Sequence, residues 1–234
     1  MRANGAIVVA RSLHKIYQSG ARRVHVLKGI NLEVNQGQIV AIVGHSGVGK
    51  STLLHILGAL DRPSSGAVMI DGTRLDGFND RELSHFRNQT VGFVFQFHHL
   101  LPEFSALENV MMPALIAGKP REEISARARL LLGEVGLEHR LSHRPGELSG
   151  GELQRVAVAR ALMNNPKIVL ADEPSGNLDQ ANSQALHDLL WKLSRKDNRT
   201  FIIVTHNLEL AENADKVIEL FDGQIKREQL NQIV

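Results

Sequence analysis

The chain has 234 residues, 27 Lys and Arg against 25 Asp and Glu for a formal net charge of +2, and no cysteine. That length supports one large α/β domain, or one such domain with an inserted lobe, and not a small stapled scaffold. Without cysteine there are no disulfides or thiolate metal sites, which agrees with a reducing compartment, and the near-neutral, interspersed charge offers nucleic acid no bulk attraction.

The start, Met1-Arg2-Ala3-Asn4-Gly5-Ala6, has no apolar signal core, and no apolar run approaches the ~20 residues that a membrane helix needs. The expectation is a chain soluble by itself, in the cytoplasm. Short β-rich runs come first, at residues 7–9, 24–27, 30–34, 39–43 and 68–70, separated by Gly, Asn and Ser turns. The second run is expected to end near Lys28-Gly29. Residues 39–43 are almost continuously apolar, as a strand buried on both faces requires. A helix is expected from there through Leu53, Leu54, Ile56 and Leu57 to about residue 60, before the turn Arg62-Pro63-Ser64-Ser65-Gly66.

After residues 91–95 strand texture gives way to helical periodicity until about Gly146, which reads as an inserted helical lobe. Its clearest helix starts near Pro120, places Ile124, Ala128, Leu131, Leu132 and Val135 on one face and stops at Gly136. Strand texture returns at residues 168–171, 201–205 and 217–220, each separated by a helix-length segment. That alternation predicts right-handed βαβ crossovers and a mainly parallel sheet. Residues 226–234 read as a short helix or a frayed end.

Gly44-His45-Ser46-Gly47-Val48-Gly49-Lys50-Ser51, with Thr52 next, matches the G-x-x-x-x-G-K-[ST] phosphate loop between the buried strand and the first helix. Glycines let backbone N–H groups wrap phosphates, the helix dipole and Lys50 add positive charge, and Ser51 is expected to ligate Mg²⁺. The strand at 168–171 delivers adjacent carboxylates, Asp172 and Glu173, at its C-terminal end, where ligands bind in open α/β sheets. Successive residues leaving a strand point differently, so the pair can divide its work: Asp172 meets Mg²⁺ directly or through a metal-bound water. The adjacent His98-His99 is not expected to hold a metal, because neighbouring residues rarely converge on one ion.

Downstream lie Leu148-Ser149-Gly150-Gly151-Glu152 and Leu153-Gln154-Arg155, then an apolar helix. Ser149 can cap that helix, and glycine N–H groups at a helix start form an anion site. In this order the phosphate loop and the Ser-Gly-Gly segment resemble the ABC-type ATPases over nearly the whole chain. The resemblance implies a P-loop core with a mainly parallel sheet and an N-terminal antiparallel β subdomain (residues 1–95 and 147–234), carrying an inserted helical subdomain (96–146), all in one nucleotide-binding domain (1–234). It implies ATP and Mg²⁺ as ligands, Glu173 as general base or water positioner, and Gln96 as the sensor of Mg²⁺ and attacking water. It also implies His206 as a contact of the γ-phosphate, and Ser175-Gly176-Asn177-Leu178-Asp179 as a dimer-contact loop in which Ser175 replaces the usual Thr. Ser149, Gly150, Gly151 and Glu152 are implied to face the nucleotide of a second copy. Tyr17 stands where the family stacks an aromatic on adenine, and as the sole tyrosine it could equally cover a sheet edge.

The segment from Phe95 to Val110, Phe-Gln-Phe-His-His-Leu-Leu-Pro-Glu-Phe-Ser-Ala-Leu-Glu-Asn-Val, closely resembles the ATPase subunits of bacterial lipoprotein-releasing systems, the LolD type. That implies a homodimer on the cytoplasmic face of the inner membrane, touching the membrane only through two integral LolC/LolE-like subunits and binding no nucleic acid. Macrolide-type exporters and the cell-division type, which regulates a periplasmic enzyme, share most of these motifs.

Overall fold

A computed structural model of the chain describes residues 5–20 and 22–231. The chain divides into two compact units, Met1–Ser84 with Ser194–Val234, and residues 85–193.

The first unit opens with β1 (Ala6–Ser19) and β2 (Arg22–Asn35), which pair antiparallel, and β1 also pairs with β4 (Ser65–Ile70), itself edged by β5 (Thr73–Arg74). Two expected strands at 24–27 and 30–34 are one. The register shifts between the Leu13 and His14 pairs, so Gly29, at φ 81°, is a bulge inside β2 and not the end of a strand. A second irregularity at Ser12, φ 45°, likewise hides the full length of β1 from a period-two reading. The other strands of this unit run β10 (Gln224–Leu230), β9 (Lys216–Phe221), β3 (Ile39–Val43), β8 (Thr200–Val204). β3 is parallel to both β8 and β9, and its Val40, Ala41 and Ile42 are fully buried. α1 (Lys50–Leu57) packs Leu53, Leu54, Ile56 and Leu57 inward and stops at its cap Gly58, short of the expected residue 60.

The tail expected as a short helix or frayed end is strand β10, antiparallel to β9. Asp222 and Gly223 both take positive φ, 46° and 74°, as a two-residue hairpin turn requires. Residues 232–234 of that tail lie outside the described residues. α2 (Asp80–Thr90), which periodicity did not announce, buries only Leu83 and owes its start to Asn79, which exchanges hydrogen bonds with Glu82 (2.7 and 3.0 Å).

The second unit contains β6 (Val91–Phe95) and β7 (Ile168–Asp172), paired parallel from Val91↔Ile168 to Phe95↔Asp172. Between them come α3 (Ala106–Ile116), α4 (Arg121–Glu134) and α5 (Gly150–Ala161), and α6 (Gln180–Asp197) follows β7. α4 buries Ile124, Ala128, Leu131 and Leu132, the expected face, with Val135 at its C-cap and Gly136 at φ 73° beyond. α7 (Leu208–Glu212) belongs to the first unit. The α/β class with an N-terminal antiparallel sheet and mainly parallel strands is observed. No helix among the described residues is long and apolar enough to cross a membrane.

Candidate functional site

In the first unit β3 ends at Val43 and the loop Gly44–Thr52 turns directly into α1. Gly49 occupies the N-cap of α1 at φ 105°, and a Cβ there would sit 2.9 Å from Leu27 Cδ2, so a side chain is excluded on both conformational and steric grounds. No side chain caps α1 and its first turn has no acidic residue, so its leading N–H groups are left to an anion. Lys50 is buried, and its Nζ donates to the carbonyls of Gly44 (2.8 Å) and His45 (3.1 Å). Its ammonium therefore lies over the loop itself.

His206 follows β8, whose register on β3 brings Val204 beside Ile42. A cavity of about 530 Å³ is lined by Gly44, His45 and Ser46 together with His206. This unit thus unites the loop with His206, the expected γ-phosphate contact. Tyr17 lies at the end of β1, 41% exposed, and its hydroxyl donates to Asp61 Oδ2 (2.8 Å). Lys15 Nζ bonds Asp61 Oδ1 (2.6 Å) and stands 4.7 Å from the centre of the Tyr17 ring. Burial, then the hydrogen bond to Asp61, raises the phenol's pKa, against an opposing interaction with Thr52. Burial disfavours the Asp61 carboxylate, but hydrogen bonds from Lys15, Tyr17 and the Arg62 N–H outweigh it and hold its pKa below the ordinary value. The phenol therefore stays neutral and fixed near the last residue of the loop.

In the second unit the pairing of Phe95 with Asp172 makes Gln96 and Glu173 the first residues past two neighbouring strand ends. Gln96 Nε2 donates to Asn177 Oδ1 (3.1 Å), and Asn177 Nδ2 donates back to the Gln96 carbonyl (3.2 Å). Glu173 has φ 46°, a left-handed conformation costly for a residue with a Cβ and characteristic of functional sites. Its carbonyl accepts the Gly176 N–H (3.0 Å), while Ser175 Oγ and His187 Nε2 are hydrogen-bonded at 2.8 Å in the interior.

The Ser-Gly-Gly segment is a helix start, as its composition predicts. Ser149 is the N-cap of α5, its Oγ accepting the Glu152 N–H (3.3 Å) while Glu152 Oε2 accepts the Ser149 N–H (2.8 Å). A Cβ on Gly151 would fall 2.6 Å from Asn182 Oδ1, so a larger residue there would have to displace that side-chain amide. The Ser149 N–H, then the Arg140 guanidinium, holds the Glu152 carboxyl at about 2 against an ordinary 4.5. Because the folded value is depressed, this contribution to stability is complete above the ordinary value and is lost as pH falls toward 2. Glu152→Gln is accordingly expected to cost about 1 kcal/mol at neutral pH, the scale of a helix cap. In urea titrations the gap from wild type should close as pH drops below 4.5, and a gap independent of pH would remove the carboxylate from this role.

The quoted motifs assign no role to Gln154, Arg160 or Asn109, yet these side chains fasten the segments around the site. Gln154 Nε2 donates to the Phe95 carbonyl (2.8 Å), fastening α5 to the strand that ends at Gln96. Arg160 donates to the carbonyls of His98 and His99, both at 2.6 Å. Burial, with Arg160 and His99 nearby, lowers the His98 pKa and favours its neutral form. Asn109, fully buried, accepts from the Leu101 N–H (2.8 Å) and donates to the carbonyls of Leu101, Phe104 and Ser105. The loop between β6 and α3 is thus rigid while Phe97, Leu101 and Phe104 remain exposed.

The family model described as ABC transporter matches residues 27–176. The chain is 57% identical over 220 residues to the lipoprotein-releasing system ATP-binding protein LolD of Geobacter metallireducens, covering 94% of this chain and 98% of that protein. It is 54% identical over 217 residues to the protein of that name from Porphyromonas gingivalis, covering 93% and 97%. Among solved structures, a dimeric post-hydrolysis state of the ATP-binding cassette MJ0796 bound to ADP and Pi matches at TM-score 0.89 and 40% identity, covering 97% of this chain and all of that one.

Proposed function

The chain belongs to the ABC transporter family, and from that membership we propose that it is the ATPase of a bacterial lipoprotein-releasing transporter. Two copies close around two Mg·ATP and drive two integral LolC/LolE-like subunits from the cytoplasmic face of the inner membrane. The identity of 57% across 94% of the chain to a lipoprotein-releasing ATPase carries this reading. Residues 96–146 act as its helical lobe, and the rest as the nucleotide-binding core with its β subdomain.

In this reading the N–H groups of residues 44–52 and the Lys50 ammonium hold the triphosphate, and the Tyr17 ring stacks on adenine. Ser51, Gln96 and Asp172 present the hard oxygen donors that suit Mg²⁺, which when bound would neutralise charge on the β- and γ-phosphates. The Glu173 carboxylate orients a water and takes its proton as the water oxygen attacks the γ-phosphorus and the bond to the β-phosphate oxygen breaks, giving ADP and phosphate. His206 contacts the γ-phosphate as charge develops. Ser149 and the N–H groups of Gly150 and Gly151 are the half-site lent to the neighbouring copy's γ-phosphate.

The test is reconstitution with the membrane subunits in vesicles loaded with a lipidated protein. ATP-dependent release is expected, and nucleotide-dependent activation of a periplasmic enzyme without release would replace the proposal. Phe97, 64% exposed beside the rigid loop, is the expected anchor for a membrane subunit. Phe97→Asp should weaken co-purification of those subunits by roughly 30-fold, the scale of an interface hot spot, with ATP binding unchanged. Full recovery of the complex would place docking elsewhere.

A further inference from the structure

The antiparallel sheet carries a pair of imidazoles that nucleotide chemistry does not use. His14 of β1 and His25 of β2 share a face, because Ile16 pairs with His25 and the register shifts between Lys15 and Ile16. His14 Nδ1 and His25 Nε2 lie 3.1 Å apart, with ring centres separated by 5.3 Å. Two nitrogens bound to one zinc ion at ~2.05 Å each stand ~3.3 Å apart in tetrahedral geometry, and ~2.9 Å apart where the bonds meet at a right angle. The observed separation falls between these values. We propose that His14 and His25 form a two-imidazole site for a borderline divalent transition metal such as Zn²⁺, Ni²⁺ or Cu²⁺, on the open side of the β1–β2 hairpin.

The backbone around the pair is already fixed, so little ordering entropy opposes binding. The His14 carbonyl accepts the Ser64 N–H (2.8 Å), and the Ser12 N–H donates to Asn31 Oδ1 (2.9 Å). Lys28, opposite His14 in the ladder, has its ammonium paired with Asp222 (2.5 Å). In the metal-free pair one of the two facing nitrogens carries a proton. Coordination requires that ring to carry its proton on its other nitrogen, so that both facing nitrogens present lone pairs. No cluster of three or more His, Cys, Asp or Glu suited to a metal lies among the described residues, so water completes the shell and the affinity is modest. Mg²⁺ prefers oxygen, and the nucleotide's ion does not compete.

Titration of the full chain with Ni²⁺ in excess Mg²⁺, followed by calorimetry, is expected to show one saturable site. His14→Gln and His25→Gln should each weaken it by roughly tenfold or more, about 1.4 kcal/mol, and the double variant should lose the site altogether. The wild-type chain gives an independent reading by acylation with diethyl pyrocarbonate, mapped by mass spectrometry, in which Ni²⁺ should protect His14 and His25 together. Unchanged affinity in either variant, or protection confined to other histidines, would overturn the site.

Discussion

Glu173→Gln leaves ATP binding at its wild-type level and lowers steady-state turnover by roughly 10²–10⁴-fold, the range that general acid–base groups contribute. Glutamine keeps the length and shape of glutamate, so the left-handed backbone at φ 46° and the hydrogen bond from Gly176 to the residue 173 carbonyl persist. It lacks only the basic oxygen that, in the proposed cycle, takes the proton of the attacking water. Since two copies close around two ATP in the proposed cycle, blocked hydrolysis should also trap the closed pair. Size-exclusion chromatography of the variant with Mg·ATP is then expected to show a persistent dimer, against a transient one for wild type. Wild-type turnover in this variant would remove Glu173 from the reaction.

Lys50→Ala should weaken ATP binding about 10²-fold. A hydrogen bond to a charged group contributes about 1.5–3 kcal/mol, and the ammonium is placed to make more than one to phosphate oxygens. Lys50 Nζ donates to the carbonyls of Gly44 and His45, so the side chain points over the loop where phosphates would lie. Removing it exposes two loop carbonyls to water and leaves the apolar face of α1 untouched, so circular dichroism should report a folded chain. A fluorescent ATP analogue measures the loss. Affinity within about threefold of wild type would show that the loop N–H groups alone hold the phosphates.

The features legible from the residues are those written in neighbouring positions. The phosphate loop, the buried β3, the carboxylates ending β7, the α4 face and the Ser149 cap each depend on a few consecutive side chains, and all are where the pattern puts them. β2 looks like two strands in the sequence because the Gly29 bulge interrupts the alternation that marks a strand. α2 is hidden from periodicity because it has almost no apolar stripe, although Asn79 and Glu82 spell its cap. The turn Asp222-Gly223 also spelled the hairpin that makes the tail a strand. The partners of Arg160 and Gln154 are illegible even though Gln154 stands in the segment after Ser-Gly-Gly, since they are backbone carbonyls about 60 positions away, which any sequence could supply.

The reciprocal bonds between Gln96 and Asn177 join the segment leaving β6 to the segment leaving β7. Whatever orders one of these segments has therefore already spent the entropy needed to order the other. Two neutral bonds of this kind support a coupling of about 1–3 kcal/mol, a 5- to 150-fold mutual change in affinity. Linkage makes that change reciprocal. In the proposed dimer, a second copy that settles the Asn177 loop should sharpen the grip of Gln96 on Mg²⁺ by the same factor with which that ion favours the second copy.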